Sequence, residues 1–149
     1  MSGVQAAGGT AIAERVGRRL PLLAYSIAGA GFVIDLVAKT LALTHLDPTH
    51  PPVFLGGLLT LQLVFNPGAA FSLGESFTVA LSGVALVAFG VVGGWFIPRV
   101  RHTGWAVAFG LLLAGISGNL FDRLFREPGP FRGHVVDFIQ LPHFAIFNV

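Results

Sequence analysis

Three long apolar segments constrain the fold of this chain more than any other feature of its sequence. They run over residues 20–43, 77–97 and 103–121, and only the first contains charged residues, Asp35 and Lys39. Each approaches the roughly 20 apolar residues that cross a hydrocarbon core about 30 Å thick. Because a backbone in lipid must satisfy its own hydrogen bonds, these segments are predicted to be transmembrane helices. The predicted fold class is therefore an all-α membrane protein with a small helical bundle.

Composition supports this class and excludes several others. The chain is 54% hydrophobic and 11% charged, whereas a soluble domain carries about twice that charged share. It has no cysteine, which excludes disulfides and thiolate chemistry, and its five histidines show no paired ligand spacing, so no metal site is predicted. The arginines are scattered without an aromatic and basic surface, so nucleic acid is not an expected partner.

The sequence divides into a leader and one membrane-embedded domain. Residues 1–19 are interpreted as a disordered cytoplasmic leader and residues 20–149 as a single domain. The first span is not predicted to be a cleaved signal peptide, because its apolar stretch is too long and no small-x-small cleavage site follows. Arginines before the first span and between the other two place both regions in the cytoplasm: Arg15, Arg18, Arg19, Arg99 and Arg101. Three arginines on the opposite side are exceptions to the rule that positive residues concentrate on the cytoplasmic side: Arg123, Arg126 and Arg132.

A surface β region is predicted over residues 53–73, between the first two spans. The stretch "HLDPTHPP" before it is rich in turn residues, and its prolines exclude a helix. "LLTLQLVFN" partly alternates and is rich in strand formers, which predicts a strand over residues 58–65 at the membrane surface. "NPGAAFSLG" then suits a sharp turn or a close approach to another segment.

Polar side chains are predicted to converge on one level near the outer surface. Asp35 lies about 22 Å along the first helix at ~1.5 Å per residue, and Lys39 is one turn further on the same face. A second polar face at the outer end of the third span carries Asn119, Asp122 and Arg123. The outward loops add Asn66 and Asp137, which makes five ionisable groups and two amides.

Most of these groups also allow a purely structural interpretation. The Asp35–Lys39 pair is either a clasp between helices or a direct participant in chemistry, since charges within a span usually mark function. Asp122 and Arg123 are favoured as residues that simply end a helix at the interface. Asn119 is compatible with a hydrogen bond between helices.

Asp137 and the small residues of the spans complete this list of alternatives. Asp137 lies among apolar residues in "GHVVDFIQL", and such surroundings make a carboxyl group a candidate acid or base. The alternative is an aspartate that caps a short helix or turn. Small residues that recur every four positions are predicted to form helix-packing faces: Gly110, Ala114 and Gly118, and Gly90 and Gly94.

Five motifs in order make the chain resemble signal peptidase II, the lipoprotein signal peptidase family of bacteria. They are "DLVAK" in the first span, "FNPGAAFS" after the predicted strand, "GISGNLFDRL" at the end of the third span, "GHVVDF", and "FNV". Each motif is weak alone. Together they cover most of the chain from Asp35 to Val149, at matching depths.

The resemblance implies an intramembrane aspartic peptidase of the bacterial inner membrane, with its active site on the outer face. Its substrate would be a prolipoprotein, cut just before a cysteine that carries diacylglycerol. Asp137 matches one of two catalytic aspartates. The family also implies four transmembrane helices, a small extracytoplasmic β-sheet cradle, membrane lipid as a partner, no cofactor and a monomer. Matching substrate-binding or supporting residues are Asp35, Lys39, Asn66, Asn119, Asp122, Arg123 and Asn148.

The chain departs from the family pattern at its last motif. In the family, "FN" is followed by a variable residue, an alanine and the second catalytic aspartate, which opens a fourth span. The sequence ends at Val149, so the chain as given is expected to lack both and to be inactive. A lone Asp137 could activate water, but a dyad also needs a protonated partner. Asp122 is a poor substitute because the adjacent Arg123 favours its ionised form.

Two other classes of function remain open from the sequence. A small proton-coupled carrier would distribute polar groups through the membrane and show inverted repeats. Here no repeat is visible, and the charges gather at one level. The other alternative is a non-enzymatic or degenerate membrane protein that binds lipoprotein without cutting it.

Overall fold

A computed structural model describes residues 3–68 and 75–149, with the side chains of residues 19–68 and 77–149. Helix α1 runs over Gly3–His45 and helix α3 over Thr103–Phe125. Helix α2 runs over Glu75–Gly90 and continues as a π-helical segment, Val91–Phe96, and a short 3-10 turn, Ile97–Arg99. The π-helical segment widens the helix just before the turn into α3.

Three helical segments in this part of the chain are long and apolar enough to cross a membrane. They are Arg19–His45, Phe77–Arg99 and Thr103–Phe125, which confirms the three predicted spans. Much of their apolar surface is exposed, as expected for side chains that face lipid rather than water. The predicted fold class, a small helical membrane bundle with a small sheet, is confirmed.

The predicted disordered leader differs from the structure. Helix α1 begins at Gly3, so residues 3–19 are helical and continuous with the first span. The span already supplies the costly first turn, and an alanine-containing stretch can then extend it at little further cost. The cytoplasmic location of the leader stays a prediction.

A three-stranded antiparallel sheet lies beside the helix ends. Its order is β1 (Val53–Phe54), β2 (Leu59–Asn66) and β3 (Val135–Gln140). Strand β2 agrees with the strand predicted over residues 58–65, whereas residues 69–73 of the predicted β region lie outside the described residues. Asp137 lies inside β3 and pairs with Val64 of β2, rather than at a cap.

Small residues let α1 and α3 approach closely. An added Cβ at Gly110 would lie 2.7 Å from the carbonyl oxygen of Ala24, and one at Gly118 would lie 2.2 Å from Oδ2 of Asp35. The predicted packing face on α3 is therefore confirmed. This close approach brings the polar ends of the two helices into direct contact.

The second predicted packing face does not meet another described element. Apart from the adjoining residues and the helix's own backbone, no atom of the described residues lies within 4 Å of a Cβ added at Gly90 or Gly94. These glycines lie where α2 passes into its π-helical segment, and the neighbouring Gly93 is the one that meets Leu113 of α3.

We expect Gly118→Ala to destabilise the bundle, because the new methyl group would collide with the Asp35 carboxylate. The expected loss is about 1–3 kcal/mol of unfolding free energy, as for other overpacked cores. Gly115→Ala on the same helix is the matched control, since a Cβ there meets nothing within 4 Å. Thermal unfolding in detergent compares the two, and equal stability of both variants would contradict the close contact.

Candidate active site

The ammonium group of Lys39 joins α1 to α3. Its Nζ lies 3.0 Å from Oδ2 of Asp35 and 2.8 Å from Oδ2 of Asp122, and it donates a hydrogen bond of 3.2 Å to Oδ1 of Asn119. Lysine has three donor hydrogens, so these three acceptors match its capacity. Lys39 is completely buried, and such a charge persists in an apolar interior only when it is paired in this way.

Asp122 extends the charged network to the sheet. Its Oδ1 accepts a 2.5 Å hydrogen bond from Nε of Arg126, and its Oδ2 accepts one of 3.2 Å from the backbone N–H of Val136. Asp122 is completely buried, so the favoured interpretation of a helix end at the interface was wrong for this residue. It follows Gly118 by four positions and therefore shares the face of α3 that packs on α1.

Asp137 lies at the centre of a separate group of amides. Its Oδ2 accepts a hydrogen bond of 2.9 Å from Nδ2 of Asn66, and its Oδ1 accepts one of 2.6 Å from Nδ2 of Asn148. Only 5% of the residue is exposed. Strand pairing positions the first amide, because Asn66 ends β2 opposite Val135, two residues before Asp137.

Asn148 connects Asp137 with the charged network. Phe147 forms a β-bridge with Ile139, with backbone hydrogen bonds of 2.8 and 3.0 Å, and this bridge places the next residue over β3. From there Nδ2 of Asn148 also lies 3.2 Å from Oδ1 of Asn119. Polar contacts thus run from Lys39 through two asparagines to Asp137.

These side chains surround a cavity of about 300 Å³ next to Asp137. Asp137 is the only carboxylate among the residues that the structure shows around it. Nη1 of Arg123 is a buried donor without a hydrogen-bond partner in the described part of the chain. The cavity therefore combines an acceptor and an unused cationic donor. Its lining residues are Asn66, Asn119, Arg123, Val135, Asp137, Ile146, Phe147 and Asn148.

The structure brings all eight predicted site residues into one region, in two layers. Asp35, Lys39 and Asp122 form the buried charged layer, with Asn119 at its edge. The other four line the cavity: Asn66, Arg123, Asp137 and Asn148. Their individual roles stay predictions. Among the described side chains, those of residues 19–68 and 77–149, no group of three or more histidine, aspartate or glutamate residues could hold a metal ion.

The sequence interpretation missed three polar residues around the site. Arg126 was noted only as an exception to the charge rule, although its i+4 spacing from Asp122 was a signal for an ion pair. Ser82 donates a hydrogen bond of 2.8 Å to the carbonyl oxygen of Phe131, and Thr78 donates one to that of Pro67. These two hydroxyls are four residues apart on α2, and that spacing was their only signal.

Fold and site together define the class: a multi-pass membrane protein with a polar cavity built around one strand-borne aspartate. A family model described as "Signal peptidase (SPase) II" matches residues 27–149. The chain belongs to the signal peptidase II family.

Individual relatives agree with this assignment. The chain is 50% identical over 121 residues to a lipoprotein signal peptidase of Leifsonia xyli subsp. xyli, a match that covers 79% of this chain and 55% of that protein. It is 45% identical over 144 residues to one of Mycobacterium avium, covering 95% and 77% of the two chains. The chain thus spans about half the length of the first of these relatives and about three quarters of the second.

A solved structure supports the fold. It is described as a bacterial membrane enzyme structure obtained by the in meso method at 1.9 Å resolution. The TM-score is 0.64 at 26% sequence identity, and the match covers 84% of this chain and 80% of the other.

We expect Lys39→Met to destabilise the protein by about 3–5 kcal/mol, because it leaves the carboxylates of Asp35 and Asp122 without their shared cation. Adding Asp35→Asn to this variant should restore part of the loss, since it removes one of the two uncompensated charges. Thr40→Ala, an exposed position next to Lys39, is the control. Unfolding in detergent measures the stability of all four proteins: the unaltered chain, the single variant, the double variant and the control. Equal stability of Lys39→Met and the control would refute the network.

Proposed function

We propose that this chain carries the catalytic site of a lipoprotein signal peptidase, which cleaves the signal peptide of diacylglyceryl-modified prolipoproteins before the lipidated cysteine. One observation carries the proposal: a buried aspartate of a family motif, Asp137, faces a polar cavity with both carboxylate oxygens held by amide donors. Membership in the family supplies the type of reaction. No cofactor or metal is part of the proposal.

Asp137 has the geometry of a general base. Asn66 and Asn148 each donate one hydrogen bond to it, which fixes the carboxylate plane and leaves further lone pairs for a water molecule in the cavity. The carboxylate would take a proton from that water as the water oxygen attacks the scissile carbonyl carbon. Asn119 and Arg123 line the same cavity and have the chemistry to bind peptide carbonyl oxygens there.

Aspartic peptidase chemistry also needs a carboxylic acid that protonates and polarises the scissile carbonyl. Asp122 is unsuited to this role, because Lys39, Arg126 and a backbone N–H already occupy its carboxylate. We therefore propose that a second carboxylate must enter the cavity from residues other than those described. The described residues alone would then be inactive or nearly so.

An apolar groove of about 440 Å³ between α2 and α3 would receive the membrane-embedded part of the substrate. It shares Asn119 and Arg123 with the cavity, so a segment lying in the groove would lead directly to Asp137. A lipidated peptide whose signal segment lies in the membrane matches this combination of apolar and polar surfaces. The other lining residues are Leu81, Val84, Ala85, Leu111, Leu112, Gly115 and Ile116.

The proposed orientation puts the amino terminus in the cytoplasm and the cavity at the outer face of the bacterial inner membrane. Its basis is the charge pattern, because Arg19, Arg99 and Arg101 lie at the end of the bundle opposite Asp137. The proposed oligomeric state is a monomer, because the fold of one chain brings all the residues named around the cavity together.

The deciding experiment is cleavage of a diacylglyceryl-modified prolipoprotein in liposomes. The 149-residue chain is compared with a version extended by a family-like fourth span and its aspartate. We expect cutting by the extended chain alone, and a loss of at least about a thousand-fold on Asp137→Asn in that background, because a lost general base leaves no efficient proton acceptor.

Asp47→Asn in the extended chain is the matched control. Asp47 is an exposed carboxylate outside the spans, and hydrogen bonds from the hydroxyl and backbone N–H of Thr49 hold its pKa below the ordinary value. This variant should cut at the unaltered rate. Cutting by the 149-residue chain would mean that Asp137 has another partner. Lipoprotein binding without cutting by either chain would favour the non-enzymatic binder.

A further inference from the structure

A second cavity lies at the end of the bundle opposite Asp137, where α2 turns into α3. Its volume is about 460 Å³, and it opens to the outside between the two helices. Val100 is the buried residue of its lining. The lining combines two arginines and a histidine with three aromatic rings: Phe96, Arg99, Val100, Arg101, His102, Trp105 and Phe109.

The charge at this end of the bundle is entirely cationic among the described side chains. Neither Arg99 nor Arg101 forms an ion pair with a described carboxylate, and Arg19 begins the first span at the same end. The described acidic residues all lie towards the other end: Asp35, Asp47, Asp122, Glu127 and Asp137. Among the described side chains, this cavity therefore offers positive charge without a counter-charge.

One of the two guanidinium groups is already held in position. Nη1 of Arg99 donates a hydrogen bond of 2.9 Å to the carbonyl oxygen of Trp95, and its guanidinium carbon lies 3.9 Å from the centre of the Trp95 ring. A cation stacked in this way loses less side-chain freedom when it binds an anion. The π-helical segment that ends at Phe96 presents this part of α2 to the cavity.

The remaining wall is a stack of aromatic rings. Phe109 stacks on Phe96 at a centroid distance of 5.2 Å and on Trp105 at 5.4 Å. Trp105 is 58% exposed at the start of α3, where a spanning helix reaches the membrane surface. An aromatic wall beside paired arginines matches a molecule with an anionic head and an apolar tail.

We propose that this cavity binds an anionic phospholipid, with its phosphate at Arg99 and Arg101 and the start of an acyl chain along the Phe96–Phe109–Trp105 stack. Basic pockets between transmembrane helices bind anionic lipid headgroups in this manner. A soluble phosphate would use the arginines but leave the aromatic wall unused. The site is at the opposite end from the Asp137 cavity and does not rest on the proposed function.

Trp105 lines this cavity and Trp95 stacks on Arg99, which also lines it, so the two tryptophans of the chain serve as its reporters. The protein is reconstituted in phosphatidylcholine vesicles that contain either brominated phosphatidylglycerol or brominated phosphatidylcholine at the same mole fraction. Bromine quenches tryptophan fluorescence at short range. We expect the quenching to show a preference for phosphatidylglycerol over phosphatidylcholine. The preference should be roughly five-fold or more for each arginine that binds the lipid, because each cation near an anionic lipid surface adds to the attraction.

In the double variant Arg99→Gln/Arg101→Gln, the two brominated lipids should quench the tryptophan fluorescence equally. Arg132→Gln, an exposed arginine at the other end of the molecule, is the charge-matched control and should keep the preference. Equal quenching of the unaltered protein, or a preference that survives in the double variant or is lost in the control, would overturn the proposal. If the double variant fails to fold, sodium chloride titration of the unaltered protein decides: the preference must fall as salt screens the arginines.

Discussion

The buried ammonium group of Lys39 is the interaction on which the rest of this structure depends. It bonds to two carboxylates and one amide that come from two different helices, so it determines how α1 and α3 face each other. Buried charges in a membrane interior cost several kcal/mol each when they are unpaired. Any sliding or rotation of the two helices would break at least one of these contacts, and the helix pair is therefore restricted to one register.

The charged layer also supports the amide layer through direct hydrogen bonds. Asp122 accepts a hydrogen bond from the backbone N–H of Val136, the residue next to Asp137. Asn119 contacts both Lys39 and Asn148. Two short routes thus connect the rigid helices to the carboxylate in the cavity. This division lets the cavity keep an acceptor, Asp137, and the Nη1 of Arg123, partnerless among the described residues, along its wall, while the completely buried groups of the charged layer stay away from water.

The sequence predicted those features of the fold and site that depend on residues close together in the chain. The Asp35–Lys39 pair follows from i,i+4 spacing, and the spans follow from length and hydropathy. The burial of Asp122 did not follow, because a charge near a helix end can face either the interface or a partner helix, and only the position of α1 decides between them. The contact of Asn148 with Asp137 depends on a β-bridge between Ile139 and Phe147, and the motifs indicated only that both residues belong to the site.

The spacing of the charges has a consequence for the way the protein enters the membrane during synthesis. Two pairs of opposite charge lie one helical turn apart in the sequence, Asp35 with Lys39 in α1 and Asp122 with Arg126 across the carboxyl end of α3. Insertion of one unpaired charge at the centre of a helix costs about 2.5–3.5 kcal/mol, so the pairing of Asp35 with Lys39 one turn away lowers that cost for α1 before α3 has been made. Helix α1 can therefore insert before α3 is present, and Lys39 acquires Asp122 as a further partner only when the two helices meet in the bilayer.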